Sequence, residues 1–155
     1  MRDRFRVRPA TLRDLEVLVR QRHMMFEDIR HRRAKEHKES DDSYRKWAAS
    51  TMKRRCLRCY LAISDDGKVA AAGCVWLRPR QPSPGRTAGT EPYLMSMYTE
   101  PGFRRKGLAS LIVKEAVKWA RSRGYDRMTL HASRMGRGVY AKLGWKRAWE
   151  MQVDL

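Results

Sequence analysis

The apolar residues of this chain change their period along its length, and each change predicts an element. Phe5 and Val7 alternate with arginines, which predicts a short strand over 5–7. Leu12, Leu15, Val19 and, further on, Met25, Phe26 and Ile29 then recur at near-helical spacing. Thr11 stands ahead of that run as an N-cap, with Asp14 three residues on completing a variant of the capping box. Residues 31–40 are almost wholly charged and read as an exposed helical end or a mobile connection. Asp41 or Asp42 is then positioned to cap a second helix carrying Tyr44, Trp47, Ala48, Thr51 and Met52.

After this the period shortens. Residues 60–64 and 69–77 read as strands joined by the hairpin turn Asp65-Asp66-Gly67-Lys68. The stretch 79–92 holds four prolines and two glycines and reads as a long loop. A third strand of this group covers 93–99. Residues 109–121 form a strongly amphipathic helix with Leu111, Ile112, Ala116, Val117 and Trp119 among its apolar positions, ended by Gly124. A strand over 127–132, a short helix over 138–143 stopped by Gly144, and a last strand over 147–153 complete the pattern. The early strands are joined by a hairpin and the later ones by helices, so the expected fold is α/β (α+β) with a mixed sheet, in one domain spanning residues 1–155.

Composition narrows the classes. The 155 residues are 42% hydrophobic, enough for one sizeable core. Lysine and arginine number 35 against 17 acidic residues, a net charge of +18 that attracts polyanions and anionic ligands without specifying a fold. No apolar run approaches the ~20 residues of a membrane span, and the first ten residues lack the apolar stretch of a secretory leader. A soluble, cytoplasmic protein without membrane association is expected. Cys56, Cys59 and Cys74 fit a reducing compartment better than a disulfide framework.

The chemistry concentrates in residues 97–110. Met97, Tyr98 and Thr99 end a strand, Pro101-Gly102 turns the chain, and Arg104-Arg105-Lys106 precede Gly107, Leu108, Ala109 and Ser110 at a helix start. Unanswered N–H groups, the helix dipole and three cations at one point make a phosphate site. Gly102 and Gly107 have Walker spacing, but Leu108 and Ala109 stand where Lys-Ser/Thr would hold nucleotide and magnesium. No G-x-G-x-x-G is present, which argues against a dinucleotide fold.

Arg104-x-x-Gly107-x-Ala109 resembles the Gln/Arg-x-x-Gly-x-Gly/Ala signature of the GNAT superfamily of acyl-CoA-dependent N-acetyltransferases. Tyr140-Ala141-Lys142-Leu143-Gly144-Trp145 resembles that family's Tyr-x-Lys-Leu-Gly-Phe element, with Trp for Phe, and Arg8-Pro9-Ala10-Thr11 with Asp14-Leu15 is similar to its opening. The resemblance implies a twisted mixed sheet of six to seven strands flanked by about four helices. Two of its parallel strands splay apart to admit acetyl-CoA, transferred to a primary amine by direct attack in a ternary complex.

The same resemblance implies the roles of the site residues. Met97, Tyr98 and Thr99 would meet the pantetheine arm through backbone groups, one of which would hold the oxyanion. Arg104, Arg105, Lys106, Gly107, Leu108, Ala109 and Ser110 would meet the pyrophosphate. Tyr140 would be the general acid for the leaving thiolate. Ser133 stands where many relatives carry a CoA-binding Asn. Glu27, on the first helix, is the base candidate carried forward. Glu91 and His131 are alternatives, as are water-mediated deprotonation and no dedicated base. The first two helices and the 79–92 loop are expected to shape the acceptor pocket, and Met24, Met25 and Phe26 either line it or pack the core. Dimers are common in the family, so a homodimer is among the expected assemblies.

No metal site is expected. Cys56-x-x-Cys59 lacks two further ligands at zinc spacing, and His23, His31 and His37 lie among charges, as solvated side chains do. The competing class is a basic nucleic-acid-binding or CoA-binding regulatory protein on the same fold. Against nucleic acid stand the lack of a DNA-reading motif and of aromatics interleaved with basic residues.

Overall fold

The computed structural model describes residues 4–30 and 33–155. Strand β1 (Phe5–Pro9) leads through a 3-10 turn at Leu12–Asp14 into α1 (Leu15–Ile29). Thr11 caps that turn as expected. Its side chain accepts from the Arg13 N–H, and the Asp14 carboxylate accepts from the Thr11 N–H at 2.8 Å. Helix α2 (Ala34–Lys53) and the hairpin of β2 (Leu57–Ser64) and β3 (Val69–Pro79) follow. The chain continues through β4 (Thr90–Thr99), a second 3-10 turn at Pro101–Phe103, α3 (Leu108–Ser122), β5 (Thr129–Leu130) and α4 (Arg137–Lys142).

Among the described residues, five strands form one sheet in the order β1-β2-β3-β4-β5. Every pair is antiparallel except β4 with β5, which is parallel. Strand β2 shows how the sequence fills both sides. Leu57, Cys59, Leu61 and Ile63 join Leu18 and Val19 of α1 and Tyr44 and Ala48 of α2 in one core. Tyr60 and Ala62 join Ile112, Val113 and Ala116 of α3 in the other. Helices thus cover both faces, which is why β2 and β3 read as nearly continuous apolar runs. No helix among the described residues is long and apolar enough to cross a membrane.

Several expectations are corrected. The sheet has five strands rather than six to seven. The strand expected over 127–132 pairs only at Thr129 and Leu130, and that over 147–153 joins no ladder. Trp149, Met151 and Val153 instead stand 84%, 94% and 77% exposed. Alternation gives a segment its strand preference, but a ladder needs a partner edge, and β5 offers two residues.

Of the two expectations for the charged stretch 31–40, the exposed helical end holds where it is described, since α2 begins at Ala34 and Ala34, Lys35, Lys38 and Glu39 are exposed. Asp41 and Asp42 lie inside α2, and the helix start is closed by Glu36, whose carboxylate accepts the Arg33 N–H at 3.1 Å. His31 lies outside the described residues.

The cysteines also differ from the reading as free thiols. The hairpin register sets Cys59 opposite Cys74, and the structure joins them as a disulfide, leaving Cys56 free. Cys56 and Cys59 therefore do not act as a pair.

Candidate active site

The site begins where the sheet opens. Strands β4 and β5 pair only at Tyr93↔Thr129 and Leu94↔Leu130. Beyond Leu94 they part, so the main-chain groups of residues 95–99 that face this side have no strand beside them. On its other side β4 carries a bulge. Ala72 pairs with Tyr98 and Cys74 with Met95, so Gly73 alone opposes both Ser96 and Met97. Ser96 takes φ +54°, which turns the strand locally.

Gly73 makes this fit possible. A Cβ there would lie 2.2 Å from Met97 Sδ and 2.9 Å from Ile112 Cγ2. The bulge falls on β4 where it has left β5, and the Met97 side chain packs over Gly73. Sequence reasoning missed Gly73 and Ser96. A glycine inside an apolar strand is a signal for such a close approach, whereas a positive φ at serine leaves no trace in sequence.

At the end of the opening the backbone takes a concave shape that suits an anion. Arg105 and Gly107 adopt left-handed conformations, φ +64° and +79°, on either side of Lys106. That alternation of hand builds the concavity in which successive N–H groups share an anion. The first N–H of α3 to find a helical acceptor is that of Leu111, which donates to the Gly107 carbonyl at 3.1 Å. Those of Leu108, Ala109 and Ser110 precede it and have no acceptor in their own helix. No atom lies within 4 Å of a Cβ built at Gly107, so the surface there is open. The side chain of Leu108 is buried in the α3 core and anchors the cradle.

The cations do not all face this cradle. Arg104 Nε donates to the Thr99 carbonyl at 3.0 Å and Nη2 to Asp28 Oδ2 at 2.6 Å, with the guanidinium over the Tyr98 ring. Arg104 therefore braces the loop against β4 and α1. Arg20 and Gln21 add a second brace by donating to Glu100, Gln21 at 2.9 Å. The Lys106 ammonium lies over the Phe103 ring at 5.6 Å, and Arg105 is exposed. The donors common to the whole segment are its N–H groups.

Tyr140 packs on the same core as Met97, Leu108, Ile112 and Leu143, edge-on to Trp145 at 5.9 Å between ring centroids. Burial pushes its phenol up to about 12, so it stays protonated throughout the neutral range. Ser133 is occupied in shaping α4. Its Oγ accepts from the Gly136 N–H at 3.2 Å and its carbonyl accepts from Arg137 N–H.

The base candidates separate. Glu91 lies at the far end of β4, before the β4–β5 pairing. Burial raises its pKa, but hydrogen bonds from Arg78 and Thr129 and the charges of Arg78 and Arg80 outweigh this and lower it. It is an anion tying β3, β4 and β5, with Arg78 at 2.8 Å, Arg80 at 3.3 Å and Arg127 at 3.9 Å. His131 is exposed just past β5. Glu27 lies beside His37, Nε2 to Oε1 2.6 Å.

The histidines are not solvated as expected. His37 is 6% exposed, and His23, with 34% of its side chain exposed, is 2.7 Å from Asp41. Their surroundings are supplied by the facing helix, which no local charge pattern reveals.

Two further features lie where the sequence led us to expect the acceptor pocket. Arg22, half-buried, lies over the rings of Phe26 at 4.7 Å and Tyr44 at 4.4 Å, between α1 and α2. The 79–92 loop folds elsewhere. Arg86 donates to Asp126 at 2.9 Å and Thr90 bonds Tyr125 at 2.7 Å, at the end of β4 opposite the cradle.

The family model for "Acetyltransferase (GNAT) family" matches residues 22–145. A comparison with curated proteins gives no match. Among solved structures, a GCN5-related N-acetyltransferase from Ralstonia eutropha JMP134 superposes with a TM-score of 0.88 at 24% identity, over 98% of this chain and 99% of that one. A protein from Clostridium acetobutylicum described as a predicted acetyltransferase with acetyl-CoA gives 0.86 at 23% identity, over 98% and 96%. Ribosomal-protein-alanine N-acetyltransferase from Brucella melitensis biovar Abortus 2308 gives 0.72 at 19%, over 98% and 99%. With splayed strands, bulge and cradle in one chain, and the family model spanning all three, the chain belongs to the GNAT acetyltransferase family.

Proposed function

We propose that this chain transfers the acetyl group of acetyl-CoA to the nitrogen of a primary amine by direct attack in a ternary complex. The observation that carries the reading is the parting of β4 from β5 after Leu94, with the residue 105–110 cradle at the end of the opening. The open, left-handed backbone at Gly107 fits a pyrophosphate, and the N–H groups of residues 105–110 would hold it. Backbone groups of Met97, Tyr98 and Thr99 would line the pantetheine arm.

The amine attacks the thioester carbonyl carbon, forming the C–N bond. The carbonyl π pair moves to oxygen, where an N–H of the bulged strand stabilises it. The C–S bond then breaks with its electron pair on sulfur. Tyr140 hydrogen-bonds that thiolate and supplies its proton, and the proton shed by the attacking nitrogen passes to water and restores the phenol. With the phenol at about 12 and a CoA-type thiol near ~8.5, full transfer is uphill. The hydrogen bond to developing negative charge is therefore the main contribution of Tyr140.

Glu27, on α1, is the base candidate, and Ser133 Oγ retains a donor for CoA. The acceptor enters from the side of α1 and α2, past Arg22, Phe26 and Tyr44. The reading is tested by incubating the protein and acetyl-CoA with a panel of amines and measuring free thiol. Thiol release that depends on one amine class supports it. Acetyl-CoA binding without amine-dependent release across small amines, peptides and protein N-termini would refute it.

We also propose a homodimer. Trp149, Met151, Val153 and Leu155 alternate along the sequence and are among the most exposed apolar residues of the molecule, while β5 leaves an open sheet edge. Reciprocal addition of this segment to a second copy would cover both. Light scattering on protein lacking residues 147–155 should shift mass from two chains to one. A monomeric parent would overturn the proposal.

A further inference from the structure

The seam between α1 and α2 holds a cluster of which only Glu27 figures in the proposed acetyl transfer. The two helices run antiparallel, so His23 and Glu27, four apart on α1, face His37 and Asp41, four apart on α2. His37 Nε2 lies 2.6 Å from Glu27 Oε1, and His23 Nδ1 lies 2.7 Å from Asp41 Oδ2. The two imidazole rings stack with centroids 4.4 Å apart. One ligand atom from each of His23, Glu27 and His37 falls within 4.8 Å of the other two.

Two atoms here are buried without a hydrogen bond. His37 is 6% exposed, and its Nε2 is close to Glu27 but not aligned to bond it. Asp41 Oδ1 is likewise without a partner. Native structures answer such atoms with a ligand, an ion or water. Beside them lies a hollow of about 370 Å³, also lined by Ala34, Lys38, Asp42 and Arg45. Lys38 and Arg45 place positive charge at its rim. Arg45 is engaged with Glu16 at 2.7 Å and Asp42 at 2.8 Å.

We propose that His23, Glu27 and His37 bind a divalent transition-metal ion of the zinc class, with Asp41 as a positioning residue. Two imidazoles and one carboxylate suit zinc, cobalt or nickel better than magnesium or calcium. Tetrahedral bonds of roughly 2.0–2.2 Å hold ligand atoms about 3.3–3.6 Å apart, so side-chain rotation suffices to close the group on an ion. The Asp41 carboxylate on His23 Nδ1 fixes the tautomer that leaves Nε2 free to coordinate, as carboxylate–histidine–metal arrangements do. The hollow leaves room for water as a fourth ligand. The ion would pin α1 to α2 one residue before Asp28, which braces Arg104 of the cradle. Glu27 as a ligand would not serve as a base. The proposal does not depend on the acetyl-transfer reading, since metal uptake is measured without acetyl-CoA.

The test uses tag-free full-length protein, stripped with chelator and titrated with zinc by calorimetry, with cobalt absorption as a second readout. One equivalent should bind and raise the melting temperature. Cobalt should give low-coordinate d–d bands without a thiolate charge-transfer band. His23→Ala and Glu27→Gln should abolish uptake, while Asp41→Asn should weaken it about 10–100-fold. Both changes are at partly exposed side chains, and circular dichroism would confirm their fold. Three results would overturn the proposal: no uptake by the parent, undiminished uptake by folded His23→Ala or Glu27→Gln, or a thiolate band that places the ion on Cys56.

Discussion

Replacing Gly73 by alanine probes the bulge on which the cleft depends. The new Cβ would sit 2.2 Å from Met97 Sδ, 3.2 Å from Met97 Cε and 2.9 Å from Ile112 Cγ2. Met97 is unbranched and half-buried, so its side chain can swing away. Ile112 is 0% exposed and β-branched, so it cannot yield without disturbing α3. Overpacking of this kind costs about 1–3 kcal/mol. For a chain of this size each kcal/mol shifts the melting temperature by about 2–4 °C, giving a fall of roughly 2–12 °C. Displacing Met97 also moves the strand proposed to line the pantetheine arm, so acetyl-CoA affinity should fall with stability. Adding Met97→Ala removes two of the three close contacts and should recover part of the lost stability in a double-mutant cycle. Thermal unfolding and calorimetric titration with CoA read both effects. A Gly73→Ala protein with parental melting temperature and CoA affinity would refute the argument that the bulge needs this glycine.

Further expectations concern single groups. Gly107→Ala keeps all its space but forces alanine to φ +79°. It should cost about 1–2 kcal/mol by thermal unfolding and weaken CoA binding measured by titration. Tyr140→Phe should lower turnover about 100-fold or more at unchanged CoA affinity. Because burial holds the phenol near about 12, the parent's rate should show no alkaline fall from Tyr140 between roughly pH 7 and 9. Asp14 is held down to about 2 by its hydrogen bond with Arg8. Its folded pKa thus lies below the unfolded one near ~3.9, so its contribution is present above about pH 4 and fades as pH falls toward about 2. Arg8 is 37% exposed, so screening limits the contribution to about 1 kcal/mol. Asp14→Asn should flatten stability over that window in acid denaturation followed by circular dichroism.

Much of the molecule was legible where the signal is local. Helix α3 buries Leu108, Ile112, Val113, Ala116 and Ala120 at helical spacing, and its amphipathic period shows this in the sequence. The Thr11–Asp14 capping box and the Asp65–Lys68 hairpin are also contained within a few residues. What escaped depends on residues distant in the chain. Helix α2 hides its first turns because the residue it buries there is His37, which hydropathy counts as polar until Glu27 of the facing helix is known. The Cys59–Cys74 pairing and the Gly73 bulge follow from strand register, which a one-residue slip would change. Arg104 carries the family motif, yet its guanidinium turns to Asp28, seventy-six residues earlier. The motif marked the turn into α3; the side chain's partner came from the packing of α1.

Amide hydrogen exchange with and without saturating acetyl-CoA tests the central assignment most directly. The amides of residues 105–110 are the proposed pyrophosphate donors, and those of 96–99 line the opening between β4 and β5. Slowed exchange at both segments, with α2 and the 79–92 loop unchanged, is the predicted result. Acetyl-CoA bound with protection confined elsewhere, or with residues 105–110 exchanging as fast as in the free protein, would contradict it.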